Sequence, residues 1–306
     1  MKEINMRKIT IHLLASLSVL ASVSCQASTS DDWSYIDNGI LRLGVDRSRG
    51  ACIGFLGESA TKRNLLNHFD EGRFIQQSYY GQADGSDWNG KPWVYNPIQG
   101  GSWKRVPAEV TKFHINEDAT KTTATVTPRH WATGELRPEM VMKQTLALDG
   151  ALAILNFKMT YDGPDQGAPR HQEMPAVFID GALENFVYTK DGVFTRAEPR
   201  ILAENGREGV DSLGYDKSSS EWVAYLNDED WGIGIYTPGT QSFTCYRALG
   251  DGTTGPSGSA ASYVSPIRTF ALETGLEVEY TTYVTIGTLD QIRERFEVLK
   301  SAAALK

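Results

Sequence analysis

The chain is poor in the residues that mark several common function classes. Of its 306 residues only three are cysteines and five are histidines. No Cys/His pair has the spacing of zinc ligands, so no metal site is expected, and no pattern calls for a cofactor. There is no run of Lys and Arg, and the formal net charge is −8. Binding phosphates needs a basic face, which excludes nucleic acid as an expected partner. Strands do not alternate with helices anywhere, which argues against a parallel α/β fold. No linker and no internal repeat divides the chain. The apolar run at residues 9–23 is too short to cross a bilayer comfortably and is broken by Ser and Thr. What is present is globular composition, 41% hydrophobic and 22% charged. The length suffices for one large all-β domain or two ordinary ones.

The apolar run belongs to an address. Lys2, Arg7 and Lys8 form a charged head before it, and Ser22-Val23-Ser24-Cys25-Gln26-Ala27 follows. Residues 1–27 therefore read as an export segment. Cys25, preceded by small residues, is a lipidation candidate that would attach the protein to the outer membrane. The other reading is cleavage after Ala27, leaving a soluble periplasmic or secreted protein. Ser22 stands where a Leu usually precedes a lipidated Cys. Only Cys52 and Cys245 remain beyond this segment. An oxidising compartment would permit them to pair. Burial as two thiols is favoured, because Cys52 sits in an apolar run.

From Trp33 onward the signals are strands. Residues 39–45 alternate, 46–50 turn, and 51–56 return. Strands are expected again at 107–115 and 121–127. A hairpin is expected where 140–148 meets 151–160 across Asp149-Gly150, and another where 222–226 meets 231–236. Residues 64–104 read as a long functional loop rich in Gly, Asp and aromatics. Residues 197–221 and 249–262 read as loops, and 276–286 as the last strand. Residues 288–300 are the one good helix, with Thr288 as N-cap, Gln291 three residues on, and Leu289, Ile292, Phe296 and Leu299 on one face. The expectation is a single domain over residues 30–306, an all-β antiparallel sandwich with one C-terminal helix on an outer face.

One stretch gathers reactive groups. Residues 169–180 place Arg170, His171, Gln172 and Glu173 before Pro175 and an apolar strand. Pro175 can start a strand without donating a hydrogen bond. His171 and Glu173, two apart, point the same way on an extended segment.

The opening Asn38-Gly39-Ile40-Leu41-Arg42-Leu43, the following Gly50-Ala51-Cys52-Ile53, Asn64-Leu65-Leu66 and the hairpin Asp230-Trp231-Gly232-Ile233-Gly234-Ile235-Tyr236 resemble the galactose-mutarotase-like β-supersandwich. That fold occurs in sugar epimerases, glycoside hydrolases and polysaccharide lyases. The chain also resembles uncharacterised exported bacterial proteins carrying the Gly-Arg-x-x-Gln-x-Ser-Tyr-Tyr and Gln-Glu-x-Pro-Ala-Val patterns. Epimerases of this fold usually carry a His within an Asn-His-Ser/Thr-Tyr stretch. Gln77-Ser78-Tyr79-Tyr80 has the aromatics without the His, which departs from a simple mutarotase.

The resemblance implies an oligosaccharide or polysaccharide ligand. Sugar sites combine aromatic planes, hydroxyl readers and acid–base groups. The planes would be Tyr79, Tyr80, Trp88, Trp93 and Trp131, with core packing as the alternative for each. The readers would be Arg73, Gln77, Gln99, Arg170 and Gln172. Gln77 is preferred to Gln76 because it is in phase with Tyr79. Glu173, His171 and Glu135 are the catalytic candidates, with His130 beside Trp131 in the substrate site. Three functions stay open. A hydrolase would use Glu173 with Glu135 or Asp180. A lyase would use Tyr80 or His171 as base with Arg73 neutralising a uronate. A glycan-binding protein would use the aromatics alone.

Overall fold

A computed structural model describes residues 32–197, 200–202 and 214–304; residues 1–27, read above as an export segment, lie with Cys25 outside the described residues. The alternation seen in the sequence becomes two large sheets. The first runs, in order, Trp33–Asp37, Leu41–Asp46, Cys52–Glu58, Ile75–Ser78, Arg170–Asp180, Ala261–Phe270, Ser242–Ala248 and Arg200–Leu202. The short strands Pro97–Ile98, Arg129–His130 and Gly214–Lys217 branch from it. The second runs Val193–Ala197, Asn185–Lys190, Trp222–Leu226, Trp231–Tyr236, Leu276–Thr288, Leu152–Tyr161, Met140–Asp149, Lys121–Thr127 and Glu109–Ile115. Every described pairing is antiparallel except Arg200–Leu202 with Ser242–Ala248.

The sheets face one another across one apolar core. Leu152–Tyr161 shows why: Ala153, Leu155, Phe157, Met159 and Tyr161 are buried and the residues between them are not, the two-residue period of a strand with one face covered. Opposite them lie Ile53, Ile75, Met174, Val177 and Val264 of the first sheet, in the same core. Asp149 pairs with Leu152, so the turn residues are Gly150 and Ala151, one position later than the Asp-Gly reading placed them. Gly150 takes φ 52° at the first central position, which favours Gly there. Cys52 and Cys245 are both buried, and no disulfide joins them.

The helix Leu289–Ala304 lies on the outer face of the second sheet. Its start is reciprocal: Gln291 N donates to Thr288 Oγ1 at 3.4 Å, and Thr288 N donates to Gln291 Oε1 at 3.0 Å. Ile292 and Phe296 pack with Trp222, Ala224, Leu226 and Tyr236. Gly234 permits this approach, since a Cβ there would stand 2.4 Å from Ile292 Cγ2 and 2.9 Å from Phe296 Cε2. Gly234→Ala should therefore push the helix off the sheet and cost about 1–3 kcal/mol. A lowered urea midpoint is the expected result, and an unchanged midpoint would refute the close packing.

Three expectations need correction. Residues 64–104 are not one loop, because Ile75–Ser78, Ala83–Trp88, Lys91–Val94 and Pro97–Ile98 are strands. The middle two form a separate two-stranded ribbon whose residues are mostly exposed. An exposed ribbon carries no apolar alternation, so the pattern hid it. Ser242–Ala248 and Ala261–Phe270 are strands that the reading passed over. Pro266 sits inside the second of these, paired with Phe243, and an internal Pro argues against a strand. Arg200–Leu202 and Gly214–Lys217 likewise fall in a segment taken for loop.

Candidate functional site

The face of the first sheet turned away from the core holds the site. Arg170–Asp180 lies between Ile75–Ser78 and Ala261–Phe270, with Glu173 opposite both Ser78 and Ile267. The register slips between Glu173 and Val177, and such bulges re-aim side chains. Met174, Val177 and Ile179 enter the core, while Glu173 and Phe178 remain half-buried on the other face. Tyr263 donates its hydroxyl to the Glu173 carboxylate. The Tyr80 phenol is within hydrogen-bonding reach of Ser78 and Glu173. Tyr246 stacks on Tyr263 at 4.3 Å, and Phe178 packs against Tyr263 at 4.7 Å. Burial, then the Glu173 charge, pushes the Tyr80 and Tyr263 phenols well above their ordinary range. Both keep their protons at neutral pH, so they can hold a carboxylate by donation and are poor bases.

His171 shares the face of Glu173. It is exposed, and its Nδ1 lies 2.8 Å from Thr269 Oγ1 on the neighbouring strand. Arg73 borders the tyrosines. Its guanidinium interacts electrostatically with Tyr246, donates to Asn67 Oδ1 at 3.0 Å and stands 3.8 Å from Asp70. Asn67 in turn donates to the carbonyls of Gly255, Gly258 and Ala260, fixing that loop beside the site. Arg170 is exposed where the strand begins.

Several expected readers face elsewhere. Gln77 and Tyr79 are in phase, as the alternation required, but on the core side. Both are fully buried, with Tyr79 Oη donating to Gln77 Oε1 at 3.0 Å and Gln77 Nε2 donating to Lys143 O at 3.2 Å in the opposite sheet. Gln99 is also fully buried, spending its Nε2 on Gly50 O and Gln144 Oε1. Gln172 holds Tyr80: it accepts from Tyr80 N at 2.7 Å and donates to Tyr80 O at 2.9 Å and Phe270 O at 3.0 Å. These four amides and rings are structural. A two-residue period states which residues share a face, but not which face meets the core.

The expected acid–base partners are engaged too. Glu135 is exposed and pairs with Arg137 at 2.9 Å. Asp180 accepts from Ala182 N and Gly255 N. His130 is buried, and its Nδ1 accepts from the amides of Ala132 at 3.1 Å and Thr133 at 3.3 Å. Its proton therefore sits on Nε2, 2.8 Å from Asp84 Oδ2. Burial lowers the His130 pKa despite Asp84, and burial with the Arg49 charge lowers that of His68. An unfolded chain protonates near pH ~6.5, whereas these folded groups resist, so stability should fall as pH drops below that point. Urea midpoints at pH 7.5 and 5.5 should differ, and His130→Gln should shrink the difference. Equal midpoints for the wild type would refute a neutral buried His130.

His130 and Asp84 also tie down the Ala83–Trp88/Lys91–Val94 ribbon. Trp88 packs edge-on against Trp93 at 4.6 Å and Trp131 at 5.7 Å. Trp131 is 9% exposed; Trp88 and Trp93 are half-buried. Trp93 Nε1 donates to Asn96 Oδ1 at 3.2 Å, and Asn96 Nδ2 contacts Tyr79 O at 2.8 Å and Ser78 Oγ at 3.5 Å. Ser78 is the register partner of Glu173. The ribbon thus joins the face that carries Glu173. Tyr263, Tyr246, Phe178 and Asn96 were missed in the sequence; Tyr263 lay in the strand that Pro266 disguised.

The sequence matches no protein-family model and no curated protein. Solved structures do match in shape. A galactose mutarotase-like protein from Lactobacillus casei ATCC 334 aligns at 13% identity and TM-score 0.51, over 83% of this chain and 99% of its own. A galactose mutarotase related enzyme from Lactobacillus acidophilus aligns at 12% and 0.49, over 83% and 97%. An aldose 1-epimerase assigned in Klebsiella pneumoniae subsp. pneumoniae MGH 78578 aligns at 11% and 0.47, over 86% and 81%. Identities this low speak to architecture alone, and in architecture the chain is a galactose mutarotase-like β-sandwich.

Proposed function

We propose that the protein is a carbohydrate-active enzyme that cleaves a glycosidic bond, with Glu173 as base and His171 as proton donor. The carrying observation is the pair of phenols, Tyr263 and Tyr80, around the Glu173 carboxylate. They hold it in place on a face that also presents an imidazole. Two residues apart on an extended strand, Glu173 and His171 have Cα atoms roughly 7 Å apart. That leaves room for an acetal carbon between their side chains. Glu173 would take the proton of an attacking water, and His171 would protonate the departing oxygen. Tyr263 and Tyr80 orient the carboxylate, and Arg73 reads hydroxyls at the rim.

A second reading has one observation in its favour. With Glu135 and Asp180 engaged elsewhere, the described residues bring one carboxylate and one imidazole to the centre, whereas most hydrolases use two carboxylates. One base and one acid suffice for opening a hemiacetal ring, so anomer interconversion competes with hydrolysis. Elimination is less favoured, because Tyr80 holds its proton too firmly to act as base and Glu173 would repel a uronate carboxylate.

A panel of neutral and uronic saccharides followed by proton NMR and reducing-end assay decides. New reducing ends support hydrolysis, accelerated anomer exchange supports ring opening, and ultraviolet absorbance of an unsaturated uronate would overturn both. The residue 1–27 pattern supports placing this activity outside the cytoplasm, with or without a lipid on Cys25. The mass of the mature N-terminus in native-host protein tests this, and an intact Met1 would reject it.

A further inference from the structure

We infer that the Trp88–Trp93 ribbon is an aromatic platform for further sugar units, so that the substrate class of the Glu173 centre is an oligosaccharide rather than a free monosaccharide. This rests on the carbohydrate reading above.

The ribbon belongs to neither large sheet. Its anchoring does not rest on the two tryptophans alone. Asp84 is bonded to the buried His130, Gly81 N donates to Tyr95 O at 2.7 Å, and Tyr95 N donates to Gln82 O at 2.9 Å. Yet Trp88 and Trp93 sit half-buried amid exposed Ala83, Asp84, Asp87, Lys91 and Pro92. Indoles gathered at a polar surface and left partly in water mark a binding surface more often than a core. Saccharide rings suit such a surface. Their C–H faces pack on indole while their hydroxyls meet the polar rim.

The position matters as much as the composition. From Trp93 two side-chain contacts, through Asn96 to Ser78, lead to the strand position facing Glu173. Asn96 and Ser78 are themselves buried, so these contacts fix the ribbon beside the Glu173 strand from within, and further units of a sugar chain would reach it over the surface. Asn96 also holds the Trp93 ring, because its Oδ1 accepts from Trp93 Nε1 while its Nδ2 is fixed by Tyr79 O and Ser78 Oγ. A stiff ring loses little freedom when a sugar stacks on it.

The test compares chain lengths. Titration calorimetry with Glu173→Gln protein, and steady-state kinetics with wild type, would use gluco-, galacto- and manno-oligosaccharides of one to six units. Affinity should rise by about tenfold or more from the monosaccharide to the longer members of one series. Trp88→Ala and Trp93→Ala should abolish that rise with a much smaller effect on monosaccharide affinity, and Trp93→Ala should also lower the melting temperature because Asn96 Oδ1 loses its donor; Trp88→Phe and Trp93→Phe should fall between. Affinity independent of length, or equal losses for one unit and six, would overturn the platform. The two readings fail separately. Length-dependent, tryptophan-dependent binding without turnover keeps the platform and removes the chemistry. Turnover of disaccharides, as fast as that of longer chains and unaffected by the tryptophans, does the reverse. No binding by any member overturns both.

Discussion

Glu173→Gln should cut turnover by roughly a hundredfold or more while leaving substrate affinity within a few fold. The substitution keeps the side chain's volume and an oxygen that can still accept the Tyr263 hydroxyl. It removes the charge and the ability to take a proton. Because Glu173 is half-buried rather than in the core, the fold tolerates the change and the melting temperature should move by only a few degrees. The Tyr80 and Tyr263 phenols should titrate at lower pH in the variant, since part of what pushes them up is the Glu173 charge. Ultraviolet difference spectra between wild type and variant read this directly. Full activity in the variant, with a clear loss of stability, would leave Glu173 as nothing more than a partner for Tyr263.

Gln172→Ala should have the largest effect on stability of any change near the site. Gln172 is fully buried, and its amide satisfies the N–H and carbonyl of Tyr80 together with the Phe270 carbonyl. Removing it leaves buried backbone groups without partners, each costing about 1–3 kcal/mol, so a total of roughly 3 kcal/mol or more is expected. Tyr80 is then released from the strand beside Glu173, and activity should fall with stability. Gln172→Glu keeps one acceptor for Tyr80 N but cannot donate to the two carbonyls, so it should recover only part of the loss. Urea midpoints of the three proteins measure this. If both variants unfold at the wild-type midpoint, Gln172 is not the clamp described.

Much of this was legible in the residues. Strict alternation in 152–161 could be satisfied only by a strand with one buried face, and the structure buries those residues in that phase. The Thr288/Gln291 pair declared the helix start because the cap is a local interaction among residues three apart. The dense hairpin signals likewise bounded the fold class, since short-range pattern depends on no distant contact.

What the chain alone left undecided was every question of side. Gln77 and Tyr79 share a face by periodicity, but whether that face is core or solvent depends on what the opposite sheet places there, and Lys143 and Gln144 come from 66 and 45 residues away from their partners. Glu173 was visible as a reactive group, yet its phenol partner Tyr263 is 90 residues distant and is brought to it by the pairing of Arg170–Asp180 with Ala261–Phe270. His130 looked like a substrate-site residue until the fold buried it and gave both ring nitrogens partners. Local sequence sets which residues can turn together, because period and capping act over a few residues. Only long-range strand pairing decides which of them meet, because the neighbours that bury a group or complete a site come from strands distant in the sequence.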